Sequence, residues 1–300
     1  MLTQTLNTIK LELSGFDVVW LAKKTLITTF VLTFSFSILI LDIAKMIRAV
    51  LIDLSGTLHI ENQAVPGCAE ALKKLLQKNL IVKFVTNTTK ESKRILHDRL
   101  INLGFDVDKN DILSSLGAAG CLIEQRKLKP MLMLSPEALE DFEGLACPLN
   151  ETPNAIVIGL APTEFHYDRL NEAFRYLNAG AQLIAIHAGK YYKRSDGLAL
   201  GPGCFVKGLE YAAQCTAELV GKPNKTFFLS ALGNVPPTDA VMIGDDVTDD
   251  ILGAMNAGLK GYLVQTGKYK TGDEDKISPA PTAVLPSFVE AVDKILEQID

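Results

Sequence analysis

From Met46 onward the apolar residues fall into short unbroken runs, with stretches of helical spacing between them. A run of Val, Leu and Ile without polar alternation is what a strand covered on both faces presents. Strands are expected at Ile47–Asp53, Leu80–Thr86, Met131–Leu134, Ala155–Leu160, Leu183–His187, Ala240–Ile243 and Gly261–Gln265. A short one precedes Gly221-Lys222-Pro223. Helices are expected from near Pro66, over Asn87–Leu103 with Thr88 or Thr89 as cap, and over Leu116–Gln125 and Tyr167–Leu177. Others run from Gly201-Pro202-Gly203 to about Ala213, over Thr226–Leu232, after Asp250, and over Phe288–Ile299. Such alternation predicts an α/β fold, a parallel sheet with helices on its faces. A second alternating series begins near Lys127–Pro130. Residues 128–205 therefore read as a unit inserted between two parts of the main one, 46–127 and 206–300.

Residues 1–45 break this pattern. Thr25–Leu41 is uncharged for seventeen residues, with Lys23 and Lys24 before it and Asp42 after it. That length is the lower limit for a membrane-spanning helix. Three readings stand: a signal-anchor, an over-long signal peptide, or upstream sequence wrongly joined to a body that starts at Met46. Poor cleavage-site residues speak against the second, and the short spacing to Met46 favours the third. The expected location is cytoplasmic, with membrane anchoring through this segment as the alternative.

Composition narrows the classes further. The 300 residues carry a formal charge of −5 and no basic block, which argues against nucleic acid as a partner. Five scattered cysteines and four histidines make neither a disulfide framework nor a metal-binding spacing.

The chemistry gathers at strand ends. Asp53 ends the first strand, Thr86-Asn87 the second; Lys222 follows the short one, and Asp245, Asp246, Asp249 and Asp250 follow Gly244. Parallel strands deliver these ends to one sheet edge, where open α/β folds place their ligands. Asp53 by itself is a nucleophile toward phosphorus, a metal ligand, both, or merely a turn cap. Together with an ammonium, a hydroxyl and several carboxylates it fits phosphoryl transfer. Carboxylates suit Mg²⁺, an ammonium offsets phosphoryl charge, and a hydroxyl binds phosphate oxygens.

These four motifs, in this order, resemble those of the haloacid dehalogenase (HAD)-like hydrolase superfamily, in particular its phosphatases with a large inserted α/β cap. The resemblance implies a Rossmann-like parallel-sheet core with a cap domain. It implies Asp53 as nucleophile and Mg²⁺ ligand, with Lys222 as its catalytic partner. Leu54, Ser55, Thr86, Asn87 and Lys222 would bind substrate alongside Asp53. The backbone carbonyl of Ser55 and the Asp245 carboxylate would complete the metal ligands, and Asp250 would orient metal-bound water or the lysine. Asp246 and Asp249 match no fixed role, and one of them reads as a helix amino-terminal charge. A homodimer through the cap is a further implication.

One departure matters. The family's usual Asp-x-Asp-x-Thr has Ser55 at its second aspartate, the residue that protonates the leaving group and then activates water. A serine cannot serve as that acid, and such help is worth about 10²–10⁴-fold. Expected substrates are therefore pyrophosphate, phosphoramidates or other small phosphates whose leaving groups need little protonation. The alternative is a catalytically weak phospho-ligand-binding or interaction protein. In the insert, the basic and aromatic loop His187–Arg194 is expected to meet an anionic substrate or a partner's acidic face, or else to be a solvated loop. Just past the nucleophile, His59–Gln63 is within reach of a leaving group, or is a plain surface loop.

Overall fold

The computed structural model describes residues 47–194 and 196–299; the apolar segment Thr25–Leu41 lies outside them. The described part begins with β1 (Ala49–Ile52), every residue of which is buried. A small hairpin, β2 (His59–Ile60) and β3 (Gln63–Ala64), leads to α1 (Cys68–Leu76), β4 (Ile81–Thr86) and α2 (Lys93–Asn102). The helix α2 starts six residues later than the sequence suggests. Its cap is Ser92, whose hydroxyl accepts from the Ile95 amide, whereas Thr88 and Thr89 stay in an irregular loop. Then come β5 (Ile112–Ser114) and α3 (Ser115–Arg126).

The next section holds β6 (Pro130–Met133), β7 (Ala155–Ile158), α4 (Tyr167–Asn178) and β8 (Gln182–Ala185). Residues expected as a loop after His187 form an antiparallel hairpin, β9 (Tyr191–Arg194) with β10 (Gly197–Leu200). It is followed by α5 (Gly203–Ala213) and β11 (Glu218–Leu219). The chain ends with α6 (Lys225–Leu232), β12 (Ala240–Gly244), a wide turn of helix at Val247–Leu252, and α7 (Gly253–Ala257). After these come β13 (Lys260–Val264), β14 (Ala283–Leu285) and α8 (Phe288–Ile299).

Two parallel sheets result. The larger has the order β14-β13-β12-β1-β4-β5, the smaller β11-β8-β7-β6. The larger is covered on both faces, as its unbroken apolar strands require. Val50 and Ile52 of β1 face α1, α2 and α8, packing near Leu72, Leu96 and Val292. Ala49 and Leu51 face α6 and α7, against Phe228, Leu232 and Ala254. The smaller sheet packs α3 on one face through Leu116 and Ile123, and α4 with α5 on the other through Leu177 and Leu209. Most of α5 and all of the edge strand β11 lie past residue 205, so chain beyond that point still builds the smaller layer. Among the described residues no helix is long and apolar enough to cross a membrane.

In the larger sheet β1 is central, with β4 on one side and β12 on the other. The connections leave β1 and β4 in one direction and reach β12 from the opposite one, so a crevice opens at the carboxyl ends of these strands. The site lies there.

Candidate active site

Asp53 lies one residue beyond β1, 5% exposed, its amide donating to the Ile243 carbonyl of β12 (2.9 Å). Lys222 reaches it from the turn after β11. Its Nζ donates to Asp53 Oδ1 (2.5 Å) and to the Val85 carbonyl (3.0 Å), and lies 2.7 Å from Asp250 Oδ1. The Thr57 hydroxyl donates to the other Asp53 oxygen (3.3 Å). Sequence reasoning missed Thr57, although its place four residues past Asp53 in a tight turn was a usable signal.

The expected residues come together, with differences in what each does. Thr86 is buried at the end of β4; its hydroxyl donates to Thr88 Oγ1 (3.0 Å) and accepts the Thr88 amide (3.1 Å). The Asn87 side chain is engaged by the backbone of Lys222, donating to its carbonyl (2.9 Å) and accepting its amide (3.0 Å). It fixes the lysine rather than reaching freely into the crevice. Ser55 is exposed on the wall of the cavity. The Leu54 side chain is fully buried in the hydrophobic core, leaving only its backbone for any ligand.

Asp245 is held by close backbone. The Lys268 amide donates to its Oδ2 (2.6 Å). Gly56 and Gly267 both have positive φ, +100° and +57°, and a Cβ on either would collide with that carboxylate. Only glycine satisfies both demands there. Asp246 caps the Val247–Leu252 turn, its Oδ1 accepting the Thr248 and Asp249 amides (3.0 and 2.9 Å), while Oδ2 pairs with Lys268 Nζ (3.3 Å).

Oxygens of Asp53, Asp245 and Asp250 all lie within 4.8 Å of one another, and all three residues are buried. Burial, then the neighbouring Asp53 and Asp250 charges, push Asp245 well above the usual carboxylate range. Burial also lifts Asp250 to about 7, with Asp53 and Asp246 adding to the rise and Lys222 opposing it. For Lys222 burial disfavours the charge, yet the paired Asp250 and Asp53 outweigh it and raise the ammonium pKa. The same contest raises Lys268: burial opposes the charge, and Asp246 and Asp245 prevail. So much negative charge in a small, dry volume fits a hard divalent cation with oxygen ligands, as Mg²⁺ is.

The cavity above these groups measures about 560 Å³. Its far wall comes from the smaller layer, through Leu160, His187, Tyr191 and Tyr192. His187 was expected within a basic loop, but it carries no charge. Burial, then Lys268 and Lys222, lower its pKa to about 3, although part of the ring still opens on the cavity. It accepts the Gly189 amide at Nδ1 (3.3 Å), so Nε2–H faces Thr89 Oγ1 (3.2 Å). The Thr89 hydroxyl also accepts the Leu160 amide (2.9 Å), joining the loop after β4 to the smaller layer. His59 is buried, and burial together with Arg99 lowers its pKa to about 4. Arg99 is tied to Glu91 (2.5 Å).

Fold and site together define a capped α/β hydrolase. A haloacid dehalogenase-like hydrolase model matches residues 50–145, and a HAD-hydrolase-like model matches residues 219–291. Haloacid dehalogenase-like hydrolase domain-containing protein 2 of Bos taurus is 56% identical over 257 residues, spanning 85% of this chain and 98% of the relative. Phospholysine phosphohistidine inorganic pyrophosphate phosphatase of Danio rerio is 36% identical over 264 residues, 85% of this chain and 97% of its own. Among solved structures, a 4-nitrophenylphosphatase of Thermotoga maritima is 25% identical with a TM-score of 0.75, over 85% of this chain and 99% of that one. A glycerol phosphate phosphatase of Mycobacterium tuberculosis in complex with magnesium is 26% identical with a TM-score of 0.72, over 83% and 77%. The chain belongs to the haloacid dehalogenase-like hydrolase family.

Proposed function

We propose that this protein is a Mg²⁺-dependent phosphatase that works through an aspartyl-phosphate on Asp53 and favours pyrophosphate, phosphoramidates or other small phosphates. The observation that carries the reading is the buried cluster of Asp53, Asp245 and Asp250 around Lys222 at the carboxyl edge of the sheet. Relatives and structural neighbours named as phosphatases support it. In the first step a carboxylate oxygen of Asp53 bonds to phosphorus as the bond to the leaving group breaks. In the second, water attacks the same phosphorus and Asp53 departs as carboxylate.

The surrounding residues prepare both steps. Lys222 and Thr57 fix the two oxygens of Asp53, and Asn87 fixes Lys222. The Thr86 hydroxyl, which donates to Thr88 Oγ1 at the strand end, would turn to bind a phosphoryl oxygen. Mg²⁺, held by Asp53, Asp245 and the Ser55 carbonyl with Asp250 alongside, would supply charge neutralisation to the phosphoryl oxygens. His187 and Thr89 join the smaller layer to the loop after β4 at the cavity wall. With Ser55 in the acid's position, leaving groups that depart without a proton from the enzyme are favoured.

A phosphate-release panel tests this, using pyrophosphate, imidodiphosphate and p-nitrophenyl phosphate with and without Mg²⁺. The expected result is Mg²⁺-dependent release, greatest from pyrophosphate. Mg²⁺ binding with no release from any of the three would instead support the alternative, a phospho-ligand binder whose signature is the missing acid at Ser55.

A further inference from the structure

Four cationic side chains among the described residues line the cavity: Lys90, Arg99, Lys222 and Lys268. Three of them are engaged. Lys222 is enclosed by Asp53, Asp250 and the Val85 carbonyl. Arg99 forks onto Glu91 and also donates to the Glu61 carbonyl (3.1 Å). Lys90 Nζ lies over the Tyr192 ring, 3.9 Å from its centroid.

Lys268 differs. Its ammonium has three N–H donors, and among the described residues its one side-chain hydrogen-bond partner is Asp246 Oδ2 at a long 3.3 Å. Its side chain is 34% exposed on the cavity wall. Its backbone is bound to the turn that carries Ser55: the neighbouring Thr266 hydroxyl donates to the Gly56 carbonyl (2.6 Å), and Gly267 packs against Gly56. A charged donor with N–H groups to spare thus lines the same cavity as Ser55, the residue in the usual acid's position.

We propose that Lys268 is the leaving-group cation of this site and makes it selective for phosphoric anhydrides over alkyl phosphates. The inference rests on the phosphatase reading and narrows its substrate class. As Asp53 bonds to one phosphorus of a diphosphate, the bridging P–O bond breaks and its electron pair stays on the bridging oxygen. The second phosphate leaves with that negative charge, stabilised by the Lys268 ammonium, and no proton passes from the enzyme. An alkoxide leaving group needs a proton, which Ser55 in the acid's position does not give.

The test compares Lys268→Met and Lys268→Arg with the wild type, on pyrophosphate and p-nitrophenyl phosphate at fixed Mg²⁺. For Lys268→Met, kcat/KM on pyrophosphate is expected to fall by about 10²-fold, at least tenfold more than on p-nitrophenyl phosphate, with Arg restoring most of it. Equal losses on both substrates would overturn the inference, since Lys268 would then act only through its bond to Asp246 and its charge near Asp245. No loss on pyrophosphate would overturn it as well. A second arm measures pyrophosphate binding by calorimetry in Asp53→Asn, with and without Lys268→Met. A wild type inactive on both substrates sinks the phosphatase reading, and this arm then judges Lys268 by itself: affinity drops at least tenfold if the inference holds and is unchanged if it fails.

Discussion

Lys222 Nζ lies 2.5 Å from Asp53 Oδ1, although 169 positions separate the two in the chain. The lysine ammonium serves the nucleophile and Asp250 at once, with almost no solvent contact. Removing it leaves buried carboxylates without their counter-charge. Lys222→Met is expected to lower kcat by about 10²–10³-fold. It should also destabilise the fold by about 3–5 kcal/mol in urea unfolding without metal. A variant as stable as the wild type would contradict this account of the cluster.

Asp245 leads to an opposite sign. Burial and two like charges raise its pKa, so at neutral pH its ionised form costs folding free energy in the absence of metal. Metal-free Asp245→Asn should therefore be more stable than the metal-free wild type. Saturating Mg²⁺ should reverse the order, because a ligand at 100 times its Kd adds about 2.7 kcal/mol to the protein that binds it. Thermal unfolding with Mg²⁺ and with a chelator measures both halves.

Ser55 sets a prediction on catalysis. Ser55→Asp returns a carboxyl group to the wall of the cavity, and kcat/KM on an alkyl phosphate such as glycerol phosphate should rise at least about tenfold. Pyrophosphate should gain much less. An equal gain on both would mean that protonation of the leaving group is not what separates them.

Gly56 tests the cradle of Asp245. Gly56→Ala places a methyl group against that carboxylate at φ +100°, with strain of about 1–3 kcal/mol. Weakened Mg²⁺ binding by calorimetry is the expected outcome, with the protein still folded. Undiminished affinity would show that Asp245 does not hold the ion.

His187 gives the pH dependence. Its folded pKa of about 3 lies below the ordinary 6.5, so the unfolded chain binds the proton more readily between those values. The stability contribution is present above pH 6.5 and is lost as pH falls from there through about 3. The slope is at most about 1.4 kcal/mol per pH unit. Urea midpoints at pH 7.5 and 5 should fall more steeply for the wild type than for His187→Gln, which keeps a donor toward Thr89 but does not titrate.

Much of the site was legible because its residues end apolar strands. Asp53 after AVLI, Thr86 after IVKFV and Asp245 after AVMIG each follow a run whose register with its neighbours delivers them to one edge. The loop from Thr88 to Ser92 was misread as helix because Thr88 and Thr89 look like caps. Their hydroxyls are engaged elsewhere, Thr88 with Thr86, and Thr89 with His187 and Leu160. That demand comes from a layer distant in sequence, which local spacing does not encode. The β9–β10 hairpin was hidden for a related reason: among the described residues its short strands pair only with each other, and β10 shows no buried run. Lys268 escaped notice because it follows an ordinary Thr-Gly turn, and its importance comes from Gly56 and Asp245 across the crevice. A glycine turn at the end of Gly261–Gln265, on the edge where Asp53 and Asp245 already lay, was the available signal.

The central claim is that Asp53 carries the phosphoryl group. Acid-quenching the enzyme during turnover of ³²P-labelled pyrophosphate with Mg²⁺ tests it most directly. The expected result is a hydroxylamine-labile label on the peptide containing Asp53, absent from Asp53→Asn together with phosphate release. Undiminished phosphate release by Asp53→Asn, or a label on another residue, would contradict it.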